Sequence, residues 1–121
     1  MNQHADKDEK TLSLPPEAHL EEAAQIIRLL GDKTRLAILA LLAQQELSVG
    51  ELIQLLNRPA TGVSQHLAKL RISRLVTIRR SGTTIYYSLA NEHVGALVQN
   101  ILEQTEHSLY LSPPHHEVST L

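Results

Sequence analysis

The fold is decided by residues 48 to 89, which read SVGELIQLLNRPATGVSQHLAKLRISRLVTIRRSGTTIYYSL. Ser48 and Glu51 have capping-box spacing for a first short helix, and Pro59 is suited to the first turn of a second, more polar helix. Two short helices joined by a tight turn are typical of a helix-turn-helix. The last part alternates with a period of two around Ser81-Gly82, which predicts a β-hairpin.

The segments on either side predict three more helices. Pro15-Pro16 opens the first of them and Gly31 closes it, while Asp32 can cap the second. Asn91 can cap a long final helix, whose apolar stripe contains Val94, Leu97, Val98, Ile101 and Leu102. The expected fold is therefore mainly α, with about five helices and a small β-hairpin.

Length and composition set the expected domain boundaries. The 121 residues have room for one domain, which we expect to span residues 15 to 110. Residues 1 to 14 are polar and without periodicity, which predicts a disordered arm, and residues 111 to 121 predict a flexible tail that contains histidine. No apolar run approaches the ~20 residues that cross a membrane, and the charged start is unlike a signal peptide, so we expect a cytoplasmic protein with no membrane contact.

The chain contains no cysteine. This excludes disulfides, thiolate nucleophiles and every cysteine-based metal site. Any metal ion must then be held by imidazole and oxygen ligands. The sequence also lacks an HExxH motif, a nucleophile motif and a Gly-rich phosphate loop, so we expect that the protein is not an enzyme.

Charge is unevenly distributed along the chain. The net charge is only -2, but no Asp or Glu occurs from Leu52 to Asn91. Six cations lie in that interval, namely Arg58, Lys69, Arg71, Arg74, Arg79 and Arg80. A purely basic middle in a weakly acidic protein indicates a polyanion partner for that middle alone.

The order of helix, turn, polar helix and basic hairpin makes double-stranded DNA the expected polyanion. Four polar side chains near the start of the second helix are candidates for base contacts in the major groove: Thr61, Ser64, Gln65 and His66. Candidates for phosphate contacts lie on the same helix and on the hairpin: Lys69, Arg71, Arg79 and Arg80. The alternative for the cations is a solvated charged face, and for His66 a helix-packing role is equally open.

The stretch quoted above, followed by NEHV at residues 91 to 94, resembles the winged-helix core of the ArsR–SmtB family of metal-responsive bacterial repressors. The resemblance covers roughly residues 20 to 110, because SQHLAKLR, RRSGTTIYYSL and the NEH helix start follow one another in the family's order. It implies a homodimer, joined through its terminal helices, that binds an inverted-repeat operator and leaves it when an inducer binds.

One family motif is altered in this chain. Members that sense arsenic, cadmium or lead typically carry an ELCVCDL box with two cysteines. Here residues 46 to 52 read ELSVGEL, so Ser48 and Gly50 stand where both thiols would be. We therefore expect no thiol-based sensing site.

The final helix carries two histidines, His93 and His107, that are fourteen residues apart. They share a helix face, yet at about 1.5 Å rise per residue they are separated by roughly 21 Å, too far for one ion to bind both. Two such helices running antiparallel about a twofold axis can place His93 of one protomer beside His107 of its partner. The apolar stripe from Val94 to Ile101 would then supply the dimer contact. The alternative is that both histidines are ordinary surface residues.

The resemblance also bears on the metal. The family's zinc sensors place ligands at positions that are Asn91, His93, Gln104 and His107 here, and neutral Asn and Gln are poor ligands for a transition metal. A different set is similar to the nickel- and cobalt-sensing branch of the family: His93, Glu106, His107, His115 and His116. This likeness implies a repressor released by Ni(II) or Co(II), although Glu106 lies about 140° around the helix from His93.

Three alternatives to this interpretation remain. The first is a zinc-sensing repressor of the same family, and the second is a metal-independent DNA-binding regulator in which the histidines are surface residues. The third is a histidine-rich metal-buffering protein or a metallohydrolase. A buffering protein would have no need of an acid-free basic middle, and the motifs of a hydrolase are missing.

Overall fold

The computed structural model describes residues 11 to 111, which form five helices and three strands. In chain order these are α1 (Glu17–Leu30), α2 (Lys33–Leu42), β1 (Leu47–Ser48), α3 (Val49–Leu56), α4 (Ala60–Ile72), β2 (Val76–Ser81), β3 (Thr84–Leu89) and α5 (Glu92–Leu111). The predicted mainly α fold is confirmed. Helices α3 and α4 form the helix-turn-helix, and the hairpin of β2 and β3 is hereafter the wing.

Side-chain caps begin α2 and α3 where the sequence predicted them. The Asp32 carboxylate accepts a hydrogen bond from the backbone N–H of Arg35 at 3.0 Å and starts α2. Ser48 and Glu51 form a reciprocal capping box at the start of α3, with hydrogen bonds of 2.8 and 3.1 Å. Each cap satisfies N–H groups that the first turn of a helix leaves without partners.

Two residues other than glycine adopt left-handed backbone conformations around α4. Asn57, with φ of 55°, ends α3, and Pro59 then caps α4, so the turn is only three residues long. Arg74, with φ of 64°, follows α4, and its N–H bonds to the Arg71 carbonyl while the next N–H, of Leu75, bonds to the Leu70 carbonyl. This pair of bonds is a Schellman motif, which directs the chain from α4 into the wing.

The wing is an antiparallel hairpin whose turn differs from the prediction by one residue. Ser81 pairs with Thr84, so the two turn residues are Gly82 and Thr83 rather than Ser81 and Gly82. Gly82 has φ of 62°, a conformation that glycine adopts without steric cost, and a glycine at the first turn position is typical of a type II′ turn.

The sheet contains a third strand that the sequence did not predict. β1 pairs antiparallel with β3, with Leu47 opposite Tyr87 and Ser48 opposite Tyr86, so the strand order is β1-β3-β2. A strand of two residues is too short to show alternation in the sequence. β1 ties the start of the helix-turn-helix to the wing.

The hydrophobic core lies between the helices and the sheet and contains only aliphatic side chains: Leu30, Ile38, Leu39, Leu42, Leu47, Leu52, Val63, Leu67, Leu70, Leu75, Val76, Val94 and Val98. The expectation that the α5 stripe as a whole forms a dimer contact is wrong for Val94 and Val98. These two side chains are buried inside the same chain, at 7% and 1% exposure, because α5 packs against α2 and β3. Leu97 and Leu102, at 39% and 42% exposure, point outward instead.

The predicted arm and tail fall largely outside the described residues. Residues 1 to 10 and 112 to 121 are not described, so the predictions for the arm and for His115 and His116 stay untested. Within the described part, no helix has the length and apolarity needed to cross a membrane.

Candidate nucleic-acid interface

Helix α4 has one face in the core and one face in solvent. Val63, Leu67 and Leu70 are buried against the rest of the domain. Five of the predicted DNA contacts occupy the exposed side: Thr61, Ser64, Gln65, Lys69 and Arg71. A helix of this kind can enter a major groove with polar side chains toward the bases and cations toward the phosphates.

His66 differs from these five because it is half-buried and contacts α2. The Arg35 Nη1 lies 3.1 Å from His66 Nδ1, and His66 Nε2 lies 3.8 Å from the Asp32 carboxylate. A guanidinium can only donate, so Nδ1 accepts and the neutral ring carries its proton on Nε2. Of the two roles left open by the sequence, the contacts are those of helix packing between α4 and α2.

Asp32 therefore serves both the cap of α2 and this contact. The hydrogen bond from the Arg35 backbone, together with the charge of the Arg35 guanidinium, lowers the pKa of the Asp32 carboxyl below its ordinary value. Arg35 also donates from Nε to the Leu29 carbonyl at 2.7 Å. These bonds fix α4 relative to the junction of α1 and α2.

The two wing arginines have different surroundings. Arg79 forms a bidentate ion pair with Glu46, at 3.0 Å from Nε and 2.8 Å from Nη2, and its guanidinium lies 4.6 Å from the centre of the Tyr86 ring. Ser88 donates a further hydrogen bond to Glu46 at 3.3 Å. Arg80 is exposed and has no such partner within residues 11 to 111.

The ion pair changes the electrostatics of the wing. Hydrogen bonding from Arg79 lowers the pKa of Glu46, and the same bond raises the pKa of Arg79. Both groups therefore stay charged at neutral pH and cancel one another. Arg80 is the wing cation whose charge is uncompensated among the described residues, although Arg79 was predicted with it as a phosphate contact.

A surface depression of about 340 Å³ separates α4 from the wing. It is lined by Ser64, Ala68, Arg71, Ile72 and Tyr87. Ile72 is 81% exposed there. The depression offers apolar contact beside the Arg71 cation, a combination that suits the sugar-phosphate backbone at the edge of a groove.

The predicted metal ligands within the described chain lie on α5. His93, Glu106 and His107 are all exposed, and among residues 11 to 111 no three potential His, Asp or Glu ligands come together within one protomer. Asn91 caps α5 instead: its Oδ1 accepts hydrogen bonds from the backbone N–H groups of His93 and Val94 at 2.9 and 3.2 Å.

Sequence reasoning missed Glu46 and Tyr86 as functional neighbours of Arg79. Glu46 lies six residues before the acid-free interval begins, and the strand that carries it to the wing is too short to predict. The sequence did contain one indication of this contact. In the box ELSVGEL, the acidic residue Glu46 stands two positions before Ser48, the residue that caps the first helix of the helix-turn-helix.

Comparisons with known proteins are consistent with this geometry. The profile of the bacterial regulatory protein arsR family matches residues 32–77, from the cap of α2 into the wing. The HTH-type transcriptional regulator KmtR of Mycobacterium tuberculosis is 48% identical over 95 residues, which cover 78% of this chain and 73% of KmtR.

Two solved structures share the fold. The homodimeric winged helix-turn-helix DNA-binding domain of a possible ArsR-family transcriptional regulator from Mycobacterium bovis has a TM-score of 0.73 and 32% identity, over 83% of this chain and 93% of that one. HlyU from Vibrio cholerae has a TM-score of 0.68 and 35% identity, over 78% of this chain and 98% of its own.

Proposed function

This chain belongs to the ArsR family of bacterial regulatory proteins, and from that premise we propose that it is a metal-released repressor. As a member it is a transcriptional regulator and not an enzyme. In the proposed mechanism a homodimer binds an operator inverted repeat and leaves it when Ni(II) or Co(II) binds between the two α5 helices.

One observation carries the DNA-binding part of the proposal: α4 presents Thr61, Ser64 and Gln65 in solvent, with uncompensated cations on both sides of them. Lys69 and Arg71 lie farther along α4, and Arg80 lies on the wing. Cations that flank a polar helix can contact phosphates on both edges of a major groove. His66 and Arg79 have positioning roles in this proposal, because both are engaged within the protein.

Dimerisation is proposed to use the outer faces of α1 and α5. Large apolar side chains exposed on these helices are Leu20, Ile27, Leu97, Leu102, Leu109 and Tyr110. An apolar depression of about 480 Å³ beside them is lined by Leu30, Leu36, Ala40 and Leu102 among others. Monomeric proteins rarely expose such a surface, and the similar domain from M. bovis is homodimeric.

Metal binding is proposed at the interface of the paired α5 helices. His93 and His107 are exposed imidazoles, which suit nickel and cobalt as well as zinc, and neither has a competing ion pair within the described chain. The Asn91 oxygen already accepts two backbone hydrogen bonds, so the zinc-type set of four positions is short of a ligand. The resemblance to the nickel- and cobalt-sensing branch, of which KmtR is a member, supports the choice of metal.

Truncation of the tail distinguishes sensing of Ni(II) or Co(II) from sensing of zinc. Truncation after Tyr110 removes His115, His116 and Glu117 but leaves the core and α4 intact. If the tail completes the site, the truncated protein should dimerise and bind DNA normally but respond much less to Ni(II) and Co(II), as measured by fluorescence anisotropy of labelled operator DNA.

Optical spectra of bound Co(II) supply an independent readout for the same pair of proteins. The full-length protein should show weak bands, which indicate six ligands. Intense bands of a tetrahedral site, together with an unchanged response after truncation, would make the zinc-sensing alternative correct and the tail histidines spectators.

A further inference from the structure

A second basic cluster lies on the side of α4 that faces α1 and α2. It surrounds a surface depression of about 340 Å³ lined by Gln25, Arg28, Leu29, Arg35, Lys69 and Ser73. Three of these side chains are cations, and none is a carboxylate. We propose that this depression binds a phosphate of the DNA backbone, in addition to the contacts of α4 and the wing, so the inference rests on the proposed function.

Arg35 is the fixed cation of the cluster. Its Nε donates to the Leu29 carbonyl at 2.7 Å and its Nη1 to His66 Nδ1 at 3.1 Å. The remaining nitrogen, Nη2, has no hydrogen-bond partner in the part of the chain that the structure describes. The guanidinium is therefore held in one orientation with a donor to spare, and a phosphate can bind it without first ordering the side chain.

Arg28 and Lys69 are the mobile cations of the cluster. Both are exposed, and neither forms an ion pair or a side-chain hydrogen bond within residues 11 to 111. Asp32 is the nearby acid, but it does not line the depression, and its carboxylate is occupied by the Arg35 backbone. Three cations gathered without a lining acid repel one another, and an anion among them removes that repulsion.

The cluster continues the face of α4 that carries the candidate base contacts. Lys69 follows Gln65 by four residues and Ser73 follows Lys69 by four, so the three lie in one row with about 6 Å between neighbours. The sugar-phosphate backbone borders the major groove. If Gln65 contacts a base, Lys69 and Ser73 at the other end of the row are therefore expected to contact that backbone. Because the depression is open, free phosphate would bind weakly, whereas DNA held by other contacts presents its phosphates at high effective concentration.

The experiment compares Arg28→Gln with Lys33→Gln by fluorescence anisotropy on a random-sequence duplex. A duplex of about 30 base pairs is long enough for two half-sites one helical turn apart. Lys33 is an exposed cation at the start of α2 that lines the apolar depression at the proposed dimer face and not this one, so its replacement removes the same charge elsewhere. Sedimentation analysis verifies that both variants dimerise like the wild type. Glutamine is unbranched and has a helix propensity close to those of arginine and lysine, so both variants should fold, which circular dichroism verifies.

For Arg28→Gln we expect the slope of log affinity against log salt to become shallower by about 0.9 for each phosphate that the variant no longer neutralises, or about twice that in a dimer. Lys69→Gln should give a similar change, and Lys33→Gln a much smaller one. A slope for Arg28→Gln equal to that for Lys33→Gln overturns the proposal. If the wild-type protein binds neither this duplex nor an operator, the proposed function fails as well.

Titration of the wild-type protein with inorganic phosphate, followed by NMR, separates the two sources of phosphate. We expect no saturable binding of the free anion at millimolar concentration. The opposite result would be saturable phosphate binding that Arg28→Gln abolishes, while the salt dependence of DNA binding by Arg28→Gln stays at the wild-type slope. That result would show that the depression binds a free anion, and it would contradict the proposed contact with DNA.

Discussion

Arg79 and Arg80 are adjacent on β2, yet they differ in what surrounds them. Arg79 is bound to Glu46 and lies over Tyr86, whereas Arg80 has no partner within the described chain. Charge counting along the sequence treats them alike, because it does not show that Glu46 reaches the wing. The contacts predict that only Arg80 can bind a phosphate without breaking an ion pair.

Arg80→Ala should therefore weaken binding to every DNA sequence and make the salt dependence shallower by about one unit of slope for each phosphate that is no longer neutralised. Arg79→Ala is the matched control on the same strand, and we expect a smaller change in its slope because the arginine is already paired. Anisotropy titrations at several salt concentrations give both slopes. A larger change for Arg79→Ala would show that DNA displaces Glu46 and takes over the arginine.

Glu46→Gln should lower the thermal unfolding midpoint at pH 7, since the amide cannot replace the bidentate ion pair. The folded state lowers the pKa of Glu46, so its contribution is present above the unfolded pKa and is lost as the pH falls through the folded pKa. The melting curves of variant and wild type should thus converge in acid, below the ordinary carboxyl range.

Glu22→Gln serves as the control for this pH dependence, because Glu22 has no ion pair or hydrogen bond among the described residues. The unfolding midpoints of Glu46→Gln and wild type could instead differ by the same amount at acid pH as at pH 7. That result would mean that the stabilisation does not depend on the charge of the Glu46 carboxylate.

At the scale of secondary-structure elements, the exit from α4 stores a small amount of backbone strain. Arg74 occupies the left-handed position of the Schellman motif, where glycine avoids the clash of a Cβ. Arg74→Gly should raise the free energy of unfolding by about 0.5–1 kcal/mol, as measured by urea denaturation. Arg71→Gly, three residues earlier in right-handed helix, should lower it by up to about 1 kcal/mol. Destabilisation by both substitutions would show that the Arg74 side chain contributes contacts that outweigh the strain.

The helices and the hairpin that the sequence predicted are those that depend on interactions between residues close together in the chain. Asp32, Ser48 with Glu51, and Asn91 cap their helices through hydrogen bonds that span two or three residues, so their spacing alone indicates the helix starts. The hairpin was predicted for the same reason, apart from a shift of its turn by one residue.

Features that depend on distant parts of the chain were not predicted. β1 forms only because β3 lies alongside it, and Glu46 meets Arg79 across 33 residues. The direction of the α5 stripe was wrong at Val94 and Val98 because periodicity locates an apolar face without saying whether the same chain or a second copy covers it. The contact of His66 with Arg35 likewise joins residues that are 31 positions apart in the chain.

For the whole molecule, the cationic DNA surface and the proposed metal site are on different elements. The cations lie on α4 and the wing, whereas His93 and His107 lie on α5, which packs against α2 and β3. Metal can affect DNA binding in this arrangement by changing how two protomers are placed relative to each other, or through the contacts of α5 with α2 and the wing strand β3. Such coupling between separate sites is typically worth about 1–3 kcal/mol.

Metal-dependent release can be measured by adding Ni(II) or Co(II) to the full-length protein bound to a labelled inverted-repeat duplex, with His93→Ala and His19→Ala beside the wild type. His19 is an exposed histidine on α1 and controls for nonspecific metal binding. We expect that all three proteins bind DNA equally without metal, and that metal releases the wild type and His19→Ala but not His93→Ala. Release of His93→Ala at the wild-type metal concentration, or no release of the wild type, would contradict this expectation.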